Sequence, residues 1–233
     1  MNRPFSCIIY DMNAEVIKTI EEIKAQYGNI DTILLFGSAT TPDWTNKSDV
    51  DIFLIDDSLN DSRSETEING VKVEFQKDNF ANLTKDIEGE RGRLLNRNLS
   101  TMIATSKIIS ANSQEKIEQL IALAKDVLAS KPNYDDEDIK MWKYSIEDYL
   151  AKAEKDILKN DEIAFYFHAH YVLQNALEMS LALSGAYMPQ PKFLAKLLEE
   201  KDPELLNVWK KYLAVNTLGE KLAALTPLSK RAR

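Results

Sequence analysis

Residues 34 to 55 read LLFGSATTPDWTNKSDVDIFLI. The segment opens as an apolar strand, breaks at Gly37-Ser38, crosses a polar loop and returns to an apolar run that carries Asp49 and Asp51. Residues two apart in a strand project to the same face, so the two carboxylates stand side by side while Val50 and Ile52 point the other way. Two such acids repel, and burying them without a counter-charge is costly. The inexpensive arrangements are exposure at a strand end or a bound cation.

The neighbouring sequence supplies more of the same site. Val71 to Phe75 alternates with period two after Asn69-Gly70, so it reads as a further strand. Val71, Val73 and Phe75 lie on one face and Lys72, Glu74 and Gln76 on the other. Glu74 therefore has the phase to join Asp49 and Asp51 as a third carboxylate. Gly37-Ser38 falls where the first strand ends and a helical turn can begin. Glycine permits close backbone approach there, and exposed amides with the serine hydroxyl can hold a phosphate anion. Mg²⁺ suits such a set, because it takes oxygen ligands and keeps positions open for substrate phosphates. A surface turn with two solvated aspartates would explain each feature singly but not their order.

Around this segment the pattern alternates between helix and strand. Val16, Ile17, Ile20 and Ile23 sit at helical spacing, with Asn13 as cap and Gly28 as stop. Strands are expected at Ile33–Phe36, Val50–Ile55, Val71–Phe75 and Lys107–Ile109, and helices over 79–87 and 114–128. The polar stretch 56–69 reads as a loop. "SKPNYDDED", with Pro132 and a run of acids, reads as a linker, and beyond Ile139 no strand signal occurs. Helices are expected there through Ala153, from Ile163 to Leu183 before Gly185, and starting near Pro191, Pro203 and Leu218. The expected domains are 1–131, mixed α and β, and 132–233, a helical bundle.

The composition bounds the function classes. The 233 residues carry a net charge of −8, which disfavours a nucleic acid as partner, since that affinity rests on Lys and Arg neutralising phosphates. The single cysteine, Cys7, makes no internal disulfide and no cysteine-based zinc site. The first apolar run is broken by Asp11, too early to read as a signal peptide or a membrane span, so a cytoplasmic location is expected.

Phe36-Gly37-Ser38, ten intervening residues and Asp49-Val50-Asp51, in a helix, strand, turn, loop, strand, strand order, resemble the nucleotidyltransferase superfamily of DNA polymerase β. The helical half, "YLAKAEKDILKNDEIAFYFHAHYVLQNALEMSLALSGAYMPQPKFLAKLLEE", resembles the C-terminal bundle of kanamycin-type nucleotidyltransferases and the HEPN domains paired with minimal nucleotidyltransferases. The resemblance implies an α+β nucleotidyltransferase fold, a short mixed sheet with flanking helices, followed by an all-α bundle. It implies an enzyme in which Asp49, Asp51 and Glu74 hold Mg²⁺ and form the catalytic group. Gly37, Ser38 and Lys192 would bind the nucleotide. The implied reaction moves AMP from ATP onto a hydroxyl of a small-molecule acceptor, which at family level includes antibiotics. Two alternatives stay open: a fused, antitoxin-like transferase that adenylylates a protein partner, and a catalytically silent binding module that dimerises through the bundle. HEPN ribonucleases carry an Arg followed a few residues later by His, and no arginine lies between Arg97 and Arg231, which argues against ribonuclease activity.

The remaining residues have plainer readings. His168 and His170 are the only histidines and project about 200° apart on a helix, so they cannot share one metal ion. Packing is expected of each, and of the aromatic residues of "FYFHAHY". Arg91, Arg93 and Arg97 read as a solvated basic face, and "SKRAR" as a frayed basic end.

Overall fold

The computed structural model describes residues 13–41 and 44–230; Cys7, Pro42, Asp43 and the last three residues lie outside the described residues. The chain divides into two compact units. One comprises residues up to 91 with 97–130, the other 92–96 with residues from 131 onward.

In the first unit, helix α1 (Ala14–Tyr27) starts where the Asn13 side chain accepts from the Glu15 amide at 2.8 Å, and it buries Val16, Ile20 and Ile23. Strands β1 (Thr32–Phe36), β2 (Val50–Ile55), β3 (Ser62–Ile68), β4 (Val71–Asp78) and β5 (Lys107–Ala111) form one sheet in the order β3-β4-β2-β1-β5. The β2–β4 pairing is parallel and the other pairings are antiparallel. α1 belongs to the core on one face, with Ile33, Leu35, Val50, Ile52, Leu54, Val73 and Phe75. The other face presents Leu34, Phe36, Phe53 and Ile55 to α2 (Phe80–Glu88), α3 (Asn98–Thr105) and α4 (Gln114–Ala129), which contribute Leu83, Ile103, Ile117, Leu120 and Ala124. Cover on both faces is why β1 and most of β2 read as unbroken apolar runs.

Three expectations need correction. The stretch 56–69 holds strand β3, whose residues are exposed except for Ile68. It forms a hairpin with β4 through Asn69 and Gly70, both at positive φ (54° and 79°), the geometry of the tight turns that match the twist of paired strands. The acids of 135–138 are not linker: the Asp135 side chain accepts from the amides of Glu137 and Asp138, and Asp138 returns the bond, so they cap and open the next helix. Arg97 is 2% exposed, not part of a solvated face. Its guanidinium donates to the carbonyls of Val127 and Ser130 at 2.8 Å each, where α4 ends and its last carbonyls need donors. Arg91 does sit at the surface, paired with Glu88 and Asp126.

The second unit contains α5 (Asp136–Leu158), α6 (Glu162–Leu183), α7 (Pro191–Lys201), α8 (Pro203–Ala214) and α9 (Leu218–Leu225). Ile146, Leu150 and Ala153 of α5 pack with Phe165, Ala169, Val172 and Ala176 of α6, joined by Leu198, Leu205 and Leu225. Among the described residues no helix is long and apolar enough to cross a membrane.

Candidate active site

Register places the acids. Phe36 of β1 lies opposite Asp51 of β2, and Asp51 opposite Glu74 of β4, so one row crosses three strands with Asp51 in the middle. Asp49 immediately precedes β2, and its carbonyl accepts from the Trp44 indole at 3.1 Å. Trp44 is buried, so this bond ties the approach to β2 into the core. Asp49, Asp51 and Glu74 are each half-buried and each offer an oxygen within 4.8 Å of the others, close enough to hold one metal ion.

The turn beside them explains its glycine. Gly37 opens a 3₁₀ turn, Gly37–Thr40, at φ +70°, a conformation that L side chains rarely adopt. A Cβ on Gly37 would fall 2.0 Å from Asp51 Oδ2, so only glycine lets the backbone pass this close to the carboxylate. The turn closes on itself: Thr40 donates to the Gly37 carbonyl at 2.8 Å, and the Ser38 carbonyl accepts from both the amide and the hydroxyl of Thr41. Gly37 and Ser38 thus stand at the end of β1, directly beside the acids.

Electrostatics sets Asp51 apart. Its carboxyl is pushed from the ordinary 3.8 up to about 6, first by burial, then by the charges of Asp49 and Glu74. A bound cation would relieve both burdens at once. Glu74 has a further partner that sequence reading does not pair with it: Lys72, 3.2 Å from Glu74 and 3.0 Å from Glu65 of β3. Trp44 and Glu65 are likewise absent from the predicted site. Lys72 and Glu74 share a face by strand period, but Glu65 lies on the strand the sequence hides.

Lys192, the remaining predicted nucleotide ligand, belongs to the other unit. It occupies the first turn of α7, with its ammonium 4.9 Å from the Phe193 ring centre. His168 accepts or donates at 2.5 Å to the buried Asp156 and stacks on Tyr149, whereas His170 is exposed. The two histidines share no site.

A strand-turn-strand carrying clustered acids on a five-stranded mixed sheet is the architecture of a nucleotidyltransferase domain. Residues 18–115 match the family described as polymerase beta, nucleotidyltransferase. The fold is also similar to a crystal structure of a nucleotidyltransferase-like protein from Exiguobacterium sibiricum. The TM-score is 0.52 at 14% sequence identity, covering 94% of this chain and 74% of that one. No curated protein matches the sequence.

Proposed function

We propose that the protein is a Mg²⁺-dependent nucleotidyltransferase that moves AMP from ATP onto a hydroxyl of a small-molecule acceptor. The observation that carries the reading is the cluster of Asp49, Asp51 and Glu74 oxygens within 4.8 Å, at the head of β2 and on the adjoining β4, beside the Gly37 turn. The residues fit a divalent cation: three oxygen donors, a carboxylate disfavoured first by burial and then by its acidic neighbours, and a backbone turn pressed against it. When bound, the cation supplies charge neutralisation at the transferring phosphoryl group.

The chain's own residues do the rest. Asp49 and Asp51 would hold the cation, and the Trp44 indole, which donates to the Asp49 carbonyl, fixes the backbone that carries Asp49. The Gly37-Ser38 turn cradles the triphosphate with its amides. Glu74, across the row from Asp51, would ligate the cation or accept the proton of the attacking hydroxyl. Lys192 is assigned to the nucleotide phosphates on the resemblance of the helical half. The negative net charge supports a small molecule or a protein as acceptor over a nucleic acid.

The test is to incubate the protein with Mg²⁺, each labelled nucleoside triphosphate and a panel of hydroxyl-bearing acceptors, and to follow pyrophosphate release. Acceptor-dependent release that Asp51→Asn abolishes is expected. Label appearing on a protein instead would favour the antitoxin-like alternative. Failure to bind any nucleotide with metal would favour a silent module.

A further inference from the structure

The acidic row does not end at Glu74. Register sets Glu65 of β3 directly opposite Glu74 of β4, so the three strands β2, β4 and β3 line up Asp51, Glu74 and Glu65, with Asp49 beside them. Like charges directly opposite in a sheet are destabilising, and here four carboxylates stand in one patch. Lys72 lies two residues before Glu74 on the same face and bridges Glu65 at 3.0 Å and Glu74 at 3.2 Å. Its side chain is 53% exposed, so the bridge is held by charge and not by packing. One Glu74 oxygen, Oε1, faces the lysine, while the Glu74 carboxylate also belongs to the cluster fit for a metal ion.

We propose that Lys72 is a built-in counter-cation of the metal-free site, which keeps the affinity for a divalent cation alone low, so that the cation is taken up together with the nucleotide. This rests on the metal reading of Asp49, Asp51 and Glu74. A fixed positive charge at the separation of neighbouring side chains opposes a divalent cation by roughly tenfold in affinity when the surroundings are water-like. A triphosphate bound together with the cation would add negative charge and offset that opposition. Glu65 acts in the opposite sense: it draws Lys72 partly away from Glu74 and adds a negative charge of its own.

The test is titration of the purified full chain with Mn²⁺, following free Mn²⁺ by electron paramagnetic resonance, with and without a non-hydrolysable ATP analogue. Lys72→Met is expected to bind Mn²⁺ alone about tenfold more tightly than wild type and to gain less from the nucleotide. Lys72→Arg should match wild type, because it keeps the charge, and Glu65→Gln should bind Mn²⁺ alone more weakly. Equal affinity in wild type and Lys72→Met, or weaker binding in Lys72→Met, would overturn the counter-cation role while leaving the metal site standing. Lys72→Arg behaving as Lys72→Met would overturn it as well. Absence of Mn²⁺ binding in every form, with nucleotide present, would remove the metal site itself and this inference with it.

Discussion

Asp51→Asn is expected to abolish nucleotidyl transfer and, in the absence of metal, to make the protein more stable. The wild-type carboxyl is raised from 3.8 to about 6 in the folded state by burial and by its acidic neighbours. The native state therefore binds a proton more readily than the unfolded chain. Below about pH 4 both states are protonated and the group costs nothing. As the pH rises towards 6 the unfolded chain ionises first, and above 6 the native state carries the full cost of a disfavoured charge. A pKa unit corresponds to about 1.4 kcal/mol, so the unscreened cost of the shift would be about 3 kcal/mol. Asp51 is only partly buried, water screens it, and about 1 kcal/mol is the figure to expect. In a chain of this size that corresponds to a melting midpoint about 2–4 °C higher for the variant. The measurement is thermal unfolding with EDTA at pH 7.5 and at pH 4, at matched ionic strength. The gap should be present at the higher pH and nearly closed at the lower. Mg²⁺ with a nucleotide analogue should reverse the order at pH 7.5 by stabilising only the wild type. Equal midpoints at pH 7.5, or a gap that persists unchanged at pH 4, would refute the reasoning.

Other substitutions probe the supports of the site. Gly37→Ala should lower Mn²⁺ affinity at least tenfold and cost about 1–3 kcal/mol of stability, seen by titration and urea unfolding, because its methyl would collide with Asp51 at a positive φ. Trp44→Phe removes one hydrogen bond to the Asp49 carbonyl, so about 1 kcal/mol of stability should go, together with a several-fold loss in transfer rate measured by pyrophosphate release. Arg97→Met should destabilise the first unit by about 2–4 kcal/mol in urea unfolding, since it leaves the carbonyls of Val127 and Ser130 without their guanidinium donor. Lys192→Ala should raise the apparent nucleotide KM with little change in melting temperature; an unaltered KM would return this lysine to the solvated surface.

What the sequence conceals follows from where each residue finds its partner. Strand β3, SRSETEI, lies at the edge of the sheet with only Ile68 buried, so no apolar alternation marks it. Its one local signal, Asn69-Gly70, points both ways along the chain, and reading it forward alone yields β4 and misses the hairpin. The same omission hides the Glu65–Lys72–Glu74 bridge, because strand phase aligns Lys72 with Glu74 but cannot supply a partner from an unrecognised strand. Arg97 is concealed for a different reason: an arginine carries no sign of burial, and its acceptors lie some thirty positions away at the end of α4. The capping acids of 135–138 mislead because a charge run and a capping box look alike until the following helix is seen to start among them.

The acids themselves are legible because they break a local rule. A buried strand wants apolar residues, and β2 obeys that rule at Val50, Ile52, Phe53, Leu54 and Ile55 but breaks it at Asp51. Such a conflict persists only where something offsets it, and the structure surrounds Asp51 with consequences of the conflict: a glycine where no side chain fits, a raised carboxyl pKa, and a lysine two residues from Glu74 neutralising the far end of the row. Each would be dispensable if Asp51 were an ordinary solvated aspartate. Replacing Asp51 with valine would restore the strand's apolar pattern and remove the central charge from the row. If the site is built around a cation, that change should stabilise the metal-free protein at pH 7.5 while eliminating Mn²⁺ binding. A destabilised Asp51→Val protein would mean that the carboxylate has a structural role of its own in the metal-free protein, and Mn²⁺ binding that survives the change would mean that the metal reading of the row is mistaken.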